Sequence, residues 1–583
     1  WAVHGPDPLG IGATGQDADV VIAQFTGQTD ALTEVLALVQ GWPPDERTLV
    51  VVTRGAVAAR PGDTVPDLVH APVHGLVRSA QSEHPGRFLL VDVDDDPASL
   101  TALPAAIAAA GADGEPQIAV RAGVPLAPRL VRLARQTVTT TPRTGTALVT
   151  GATGTLGAEL AKHLVAAHGY RRLVLTSRSG PAAPGATELV AELTELGAHA
   201  TVVACDVADR AAIAGVLAAI PPEHPLTAVA HTAAVLDDGV VAALTPDRLR
   251  HVLTPKARGA LNLHELTRDA DLEIFALFSS AAGVLGGAGQ GNYAAANTYV
   301  DALAQHRAAI GLPAVSLAWG PWAQRSALTG DLTDTDLRRL ARHGLIPMAT
   351  EDGLRLFDEA LTAGRALVVP MGFSPAALRA GGAEVAPLLR GLVSTGGAAS
   401  AAGSAEALRR KLTAAPDTER GRILLDLVRT QTAIVLGYGN PGLVDARRGF
   451  VELGLDSLTG VELRNRLARG TGLRLPATTV FDHPTPDALA RHLRTGLEPR
   501  PGGAGPAAFA ELARLERALA GVTPGGAELM ADRGALTTRL RALLDHLTDV
   551  PTDHTAHAEV PDSLDSATAE DLYTLLDQEF SKS

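Results

Sequence analysis

Two stretches of the chain repeat one pattern: a short apolar run, then a segment with apolar residues at helical spacing. In the first, up to about residue 140, Thr48-Leu49-Val50-Val51-Val52-Thr53 and Phe88-Leu89-Leu90-Val91-Asp92 show no polar alternation, which predicts strands buried on both faces of a parallel sheet. In the second, runs near 146–150, 172–176, 201–205, 227–232, 274–279 and 314–319 predict six strands with helices between them. Alternating strands and helices imply an α/β, doubly wound parallel sheet. Residues 325–385 read as further helical pieces. The stretch 395–404, made of Thr, Ser, Gly and Ala, reads as a flexible linker, and 405–495 as a small all-helical domain. After a second Gly/Pro linker at 499–506 come two amphipathic segments, near 507–520 and 526–547, and a last short helix near 567–580. Leu536, Leu540, Leu543, Leu544 and Leu547 fall on one stripe of the second segment.

At 583 residues the chain is too long for one domain. Its net charge of −14 argues against nucleic acid and anionic membranes as partners. From Asp549 onward there are nine acids and one lysine, so over half of that excess lies in the last 35 residues. One cysteine, Cys205, excludes an intrachain disulfide and a cysteine-built metal site, and fits a reducing cytoplasm; no metal is expected. No apolar run is long enough to span a bilayer, and Trp1-Ala2-Val3-His4-Gly5 is not a signal peptide. From the abrupt start without Met, the chain is expected to be a fragment of something longer.

The candidate chemistry begins at Gly151-Ala152-Thr153-Gly154-Thr155-Leu156-Gly157, directly after the 146–150 strand. Glycines at this spacing, between a strand and a helix, let the backbone approach a pyrophosphate at the helix N-terminus. The contacts would come from Gly151, Thr153, Gly154, Leu156 and Gly157. An NAD enzyme carries an acid at the end of the second strand, whereas this chain has Ser177-Arg178. An arginine pairs with a 2′-phosphate, so NADPH is expected. Asp206 and Val207, after the third strand, are expected at the adenine. The 1–140 stretch has no such glycine loop and reads as structural.

Ser280 ends a strand, and Tyr293 follows thirteen residues later with Asn297 one helical turn beyond it. A tyrosine needs a cation to act as an acid near neutral pH. Lys256 is the candidate. On these residues the segment 146–322 resembles the short-chain dehydrogenase/reductases. It is more narrowly similar to the ketoreductases of modular polyketide synthases, in which asparagine stands where most short-chain reductases have lysine. Residues 1–140 resemble the structural subdomain of those enzymes, so both halves are expected to be Rossmann-like. The resemblance implies that Tyr293 donates the proton, Ser280 hydrogen-bonds the ketone, Lys256 tunes Tyr293 and Asn297 supports a proton relay. Leu236-Asp237-Asp238 matches the B-type motif, which implies a D-hydroxyl product. Leu285 stands where A-type enzymes have tryptophan, and Ala295 where epimer-selective B-type enzymes have proline, so the code reads B1. Ala234 departs from the usual glycine.

Phe450-Val451-Glu452-Leu453-Gly454-Leu455-Asp456-Ser457-Leu458 resembles the phosphopantetheine attachment motif of acyl carrier proteins, with Ser457 bearing the 4′-phosphopantetheine. That family implies a four-helix bundle. The tail resembles polyketide synthase docking domains, helical segments that dimerise and bind the next synthase subunit. The expected organisation is a structural subdomain (1–140), a catalytic subdomain (141–385), a linker (386–410), a carrier (411–496), a linker (497–506) and a docking domain (507–583). The expected partners are a polyketide intermediate, upstream ketosynthase and acyltransferase domains, a downstream subunit and a second copy of the chain. No dehydratase or enoylreductase stands between reductase and carrier, so the hydroxyl is expected to persist. Two other readings are a ketoreductase of an iterative synthase, disfavoured by the docking tail, and an inactive scaffold, disfavoured by the intact Lys256, Ser280, Tyr293 and Asn297.

Overall fold

The computed structural model describes residues 1–12, 18–27, 30–43, 47–133, 143–324, 340, 344–380, 385–393, 408–413, 415–436, 438, 440–455, 457–476 and 478–497. The expected docking tail and most of both linkers lie outside them.

The first sheet contains Ala2–His4 (β1), Val20–Phe25 (β2), Thr48–Arg54 (β3), Phe88–Val93 (β4), Gln117–Arg121 (β5) and Val124–Leu126 (β6), in that spatial order. All neighbours are parallel except β5 and β6. Both faces of β3 are covered, which is why its sequence does not alternate: Leu49, Val50, Val51 and Val52 are all fully buried. Each such side chain contributes about 1.5–3 kcal/mol of hydrophobic stabilisation. The helices Ala31–Gln40 (α1), Ala71–Glu83 (α2) and Pro97–Asp113 (α3) cover it. Asp96 caps α3 through Ala98 N, and Gly114 closes it in the left-handed region at φ 65°.

The second sheet holds seven parallel strands. They are Thr146–Thr150 (β7), Arg172–Ser177 (β8), His199–Ala204 (β9), Leu226–His231 (β10), Ile274–Ser280 (β11), Val315–Trp319 (β12) and, beyond a two-residue β13 (Leu345–Ile346), the edge strand Leu367–Val368 (β14). Their order is β14-β12-β11-β10-β7-β8-β9, so the chain reverses direction between β7 and β10. β13 pairs antiparallel with Gly372–Phe373 (β15). Residues 345–373 are thus not only helical, as expected, but hold three short strands around the helix Thr350–Thr362. The sheet is flanked by Thr155–Ala166 (α4), Ala186–Glu195 (α5), Arg210–Ala218 (α6), Pro246–Leu253 (α7), Gly259–Leu266 (α8), Ala281–Leu285 (α9) and Gly291–Ala309 (α10).

The two halves meet along α2 and α10. Gly75 of α2 lies so close that an added Cβ would stand 2.3 Å from Ala294 O, and Ala294, Ala295 and Ala296 are fully buried. Val73, Leu76 and Val77 share one core with Val241, Leu244, Leu249 and Ala295. The small residues on both helices bring α10, which carries Tyr293, directly onto the first half.

The carrier region is helical: Asp417–Leu436, Ser457–Thr471, Thr479–Asp482 and Pro486–Leu497. Leu424, Val428, Leu463, Leu467, Val480, Leu489 and Leu493 form its core.

Candidate active site

The reversal of strand order opens a crevice at the carboxyl ends of β7 and β10. Gly151 enters it with φ 70°, and an added Cβ there would meet Ala233 N at 2.7 Å. At Gly157 an added Cβ would meet Gly151 O at 2.5 Å. Gly154 is the N-cap of α4 and has no side chain to bond the first helical N–H groups. This cradle of close backbone and unpaired amides fits a pyrophosphate. Thr153 and Leu156 lie on the same turn. Ser177 ends β8, and Arg178 beside it is exposed, with no ion pair among the described residues. Asp206 is exposed and accepts from Ala208 N at 3.0 Å, whereas Val207 is buried.

Ser280 ends β11 and caps α9, its Oγ accepting from Ala282 N at 3.2 Å. Tyr293 sits in the first turn of α10. Burial pushes its hydroxyl pKa up, more than the adjoining Ser280 and Asn297 side chains pull it down, so it is protonated at neutral pH. Asn297 donates to Tyr293 O at 2.8 Å, and its buried Oδ1 has no partner among the described residues.

Lys256 belongs to a π-helical turn, Thr254–Arg258, between α7 and α8. Such turns arise where an extra residue enters a helix and they re-aim side chains. His231 fixes this one from below: Nε2 lies 2.9 Å from Lys256 O and Nδ1 2.7 Å from Thr150 Oγ1. Burial, then the Lys256 charge, lowers the His231 pKa to about 3, so this link is neutral. Lys256 Nζ donates to Phe278 O at 2.6 Å and stands 6.0 Å from the Tyr293 ring centre. Burial lowers its pKa to about 8. Lys256 is thus beside the tyrosine but aimed at a carbonyl, and the Tyr293 hydroxyl stands above its ordinary pKa rather than below it.

The Leu236-Asp237-Asp238 loop is held by residues the sequence did not single out. Arg248 pairs with Asp237 at 2.7 Å and donates to Asp238 O at 2.8 Å. Asn292 donates to Asp237 O at 2.7 Å, and its own oxygen accepts from Tyr293 N at 2.8 Å. Gln290 donates to Asp238 at 2.9 Å. Glu83 of α2, 2% exposed, accepts from Val241 N and Gly289 N, each at 2.9 Å. No local signal reveals Glu83, because its partners lie in the other half of the fold. Away from this crevice, His163 and His168 both lie 2.8 Å from Asp358 Oδ1 and fasten the helix Thr350–Thr362 to α4 and the turn that follows it.

Residues 145–324 match the KR domain family, and residues 5–130 the Rossmann fold domain of the polyketide synthase extender module SpnB. Residues 424–493 match the phosphopantetheine attachment site family. The chain is 48% identical over 584 residues to polyketide synthase GfsA of Streptomyces halstedii, covering 96% of this chain and 8% of that protein. It is 54% identical over 466 residues to the spectinabilin polyketide synthase system protein NorA′ of Streptomyces orinoci, covering 79% of this chain and 13% of that one. Among solved structures, an A1-type ketoreductase is 37% identical at TM-score 0.58, over 64% of this chain and 82% of that one. The first ketoreductase of the tylosin polyketide synthase is 36% identical at TM-score 0.57, over 64% and 84%. The chain belongs to the modular polyketide synthases, as a segment that joins a two-part, Rossmann-like ketoreductase to a phosphopantetheine carrier domain.

Proposed function

We propose that the second half reduces a β-ketoacyl thioester, tethered to Ser457, to the D-3-hydroxyacyl thioester with NADPH. The observation that carries this reading is the convergence of Ser280, Tyr293, Asn297 and Lys256, from three elements, beside the glycine cradle. Ser280 and the Tyr293 hydroxyl would hold the ketone oxygen by hydrogen bonds. As charge develops on that oxygen, protonated Tyr293 delivers its proton there, which completes the alcohol. Asn297, through its unpartnered Oδ1, would seat a relay that returns a proton to Tyr293. Buried Lys256 adds a positive charge that favours the tyrosinate left behind. The nicotinamide, when bound, supplies the hydride to the β-carbon. Arg178 supports NADPH over NADH, because an exposed guanidinium without an ion pair among the described residues suits a 2′-phosphate.

The D configuration rests on Leu236, Asp237 and Asp238, whose loop is pinned beside Tyr293 and would fix how the thioester enters. Ser457 opens a helix, as an attachment point for a long flexible arm requires. The arm keeps the thioester at high effective concentration near the site. Partition at 1–140, 141–385, 411–496 and 507–583, dimerisation, docking to a downstream subunit and delivery from upstream ketosynthase and acyltransferase domains belong to the same proposal. The test is incubation with a β-ketoacyl thioester and either NADPH or NADH, with the product resolved by chiral chromatography. A D-3-hydroxy product made preferentially with NADPH is expected. An L product would overturn the stereochemical reading, and equal rates with NADH would overturn the cofactor reading.

A further inference from the structure

Two polar side chains of the carrier region are buried outside its own core. Arg464 and Asn465, on the helix Ser457–Thr471, are 5% and 6% exposed. Arg464 Nη2 donates to Glu83 O at 2.5 Å and lies 3.4 Å from His84 Nδ1. Asn465 Nδ2 donates to Ser82 O at 3.0 Å. These acceptors close the C-terminal turn of α2. A helix leaves its last four carbonyls without an intrahelical donor and concentrates the negative end of its dipole there. In α2 the Ala80 carbonyl is taken by His84 N at 2.7 Å. The Ser82 and Glu83 carbonyls are taken by the carrier. A guanidinium is well matched to this end, because it brings both charge and donors.

The same turn also reaches the active site. The Glu83 carboxylate holds Val241 N and Gly289 N. Gly239 N in turn donates to Gly289 O at 2.7 Å, so the Leu236–Asp238 loop and the start of α10 are tied together just below Tyr293. One residue therefore offers its main-chain oxygen to the carrier and its carboxylate to the loops around the site. Ser457 lies seven residues before Arg464 on one helix, roughly 10 Å along its axis. A carrier seated here keeps its attachment point within about two helical turns of the end of α2.

We propose that the C-terminal turn of α2, Ser82–His84, is the landing surface for the chain's own carrier during reduction, read by Arg464 and Asn465. The inference rests on the reading that the second half reduces a carrier-bound thioester. It is tested in the full chain, phosphopantetheinylated and loaded with a β-ketoacyl group, comparing wild type with Arg464→Ala and the nearly isosteric Asn465→Asp. Mass spectrometry of the loaded arm verifies that each carrier is folded well enough to be modified. Two substrates are assayed: the tethered thioester and a diffusible β-ketoacyl N-acetylcysteamine thioester.

Each variant is expected to reduce the tethered substrate about tenfold more slowly, the worth of one charge-assisted or buried hydrogen bond. Reduction of the diffusible substrate is expected to stay unchanged. Unchanged tethered reduction in both variants overturns the landing surface alone, and so does an equal fall with both substrates. Wild type that reduces neither substrate overturns the reductase reading and the landing surface with it.

Discussion

In the first sheet the strands stand in chain order, β1 to β6, whereas the second reverses between β7 and β10. Ligand crevices in open α/β sheets form where the order reverses. The carboxyl ends of the strands differ accordingly. In the first sheet they are filled: Arg121 pairs with buried Asp92 at 2.6 Å, and Thr53 Oγ1 bonds both Asp92 at 2.6 Å and His74 at 2.8 Å. In the second sheet they carry the glycine cradle, Ser280 and the approach to Tyr293. The same α/β pattern therefore produces a site in one half and a brace in the other. The brace acts through α2, whose Gly75 seats α10 and whose Glu83 ties the loops before Tyr293.

The largest effect on this comparison comes from emptying the brace. Arg121 and Asp92 are 7% and 0% exposed. Arg121→Ala leaves a buried carboxylate unpaired, which costs about 3–5 kcal/mol. Denaturant unfolding measures it; a loss below 1 kcal/mol would mean that the network is incidental. Gly75→Ala comes next. The new methyl would collide with the Ala294 backbone, an overpacking cost of about 1–3 kcal/mol, and turnover falls as α10 shifts. Gly111→Ala in α3 is the counterpart, since nothing lies within 4 Å of an added Cβ there. It is expected to be neutral or to stabilise by about 0.5–1 kcal/mol. Equal effects at both positions would remove α2 from the account.

The two halves also differ in their buried acids. Asp92 has its arginine, whereas Asp301 in α10 is hydrogen-bonded to Ser316 at 2.6 Å and feels Arg78 and Lys256 only at a distance. Burial raises the Asp301 pKa from 3.8 to about 6. The folded state therefore holds this proton more tightly than the unfolded chain does. The resulting stability is fully present below pH 3.8 and is lost as pH rises through about 6. Asp301→Asn is expected to remove about 1–3 kcal/mol of that slope. Unfolding of both proteins from pH 4 to pH 7 measures the difference, and parallel curves would contradict it. The smallest effect concerns the cofactor. Arg178→Ala is expected to lower the preference for NADPH over NADH, read as a ratio of kcat/KM, by about tenfold. An unchanged ratio would move 2′-phosphate recognition elsewhere.

Much of this organisation was legible in the sequence because the buried strands announce themselves. Thr48–Thr53 and Phe88–Asp92 lack polar alternation since both their faces are covered. The run expected at 201–205 begins earlier, at His199, because β9 is an edge strand with exposed positions that blur its ends. The short strands between 345 and 373 were missed: two-residue pairings carry no periodicity. Ser280, Tyr293, Asn297 and Lys256 could be named from spacing and resemblance. That Lys256 rides a π turn and points at Phe278 O could not, although Pro255 beside it marks a disturbed helix. Glu83 and Gly75 were unreadable for another reason. A glutamate at the end of an amphipathic helix looks solvated, and a mid-helix glycine looks like a flaw, until the second half packs against them.

Mass analysis of the phosphopantetheine arm on the full chain, loaded with a β-ketoacyl group and given NADPH, separates reduction from cofactor binding alone when wild type is compared with Tyr293→Phe. The wild-type acyl group is expected to gain one hydride and one proton. Tyr293→Phe, lacking only the proposed proton donor, is expected still to bind NADPH but to react about 10²–10⁴-fold more slowly. A wild-type acyl group left unreduced while NADPH is bound, or a Tyr293→Phe variant as fast as wild type, would contradict the proposed reduction.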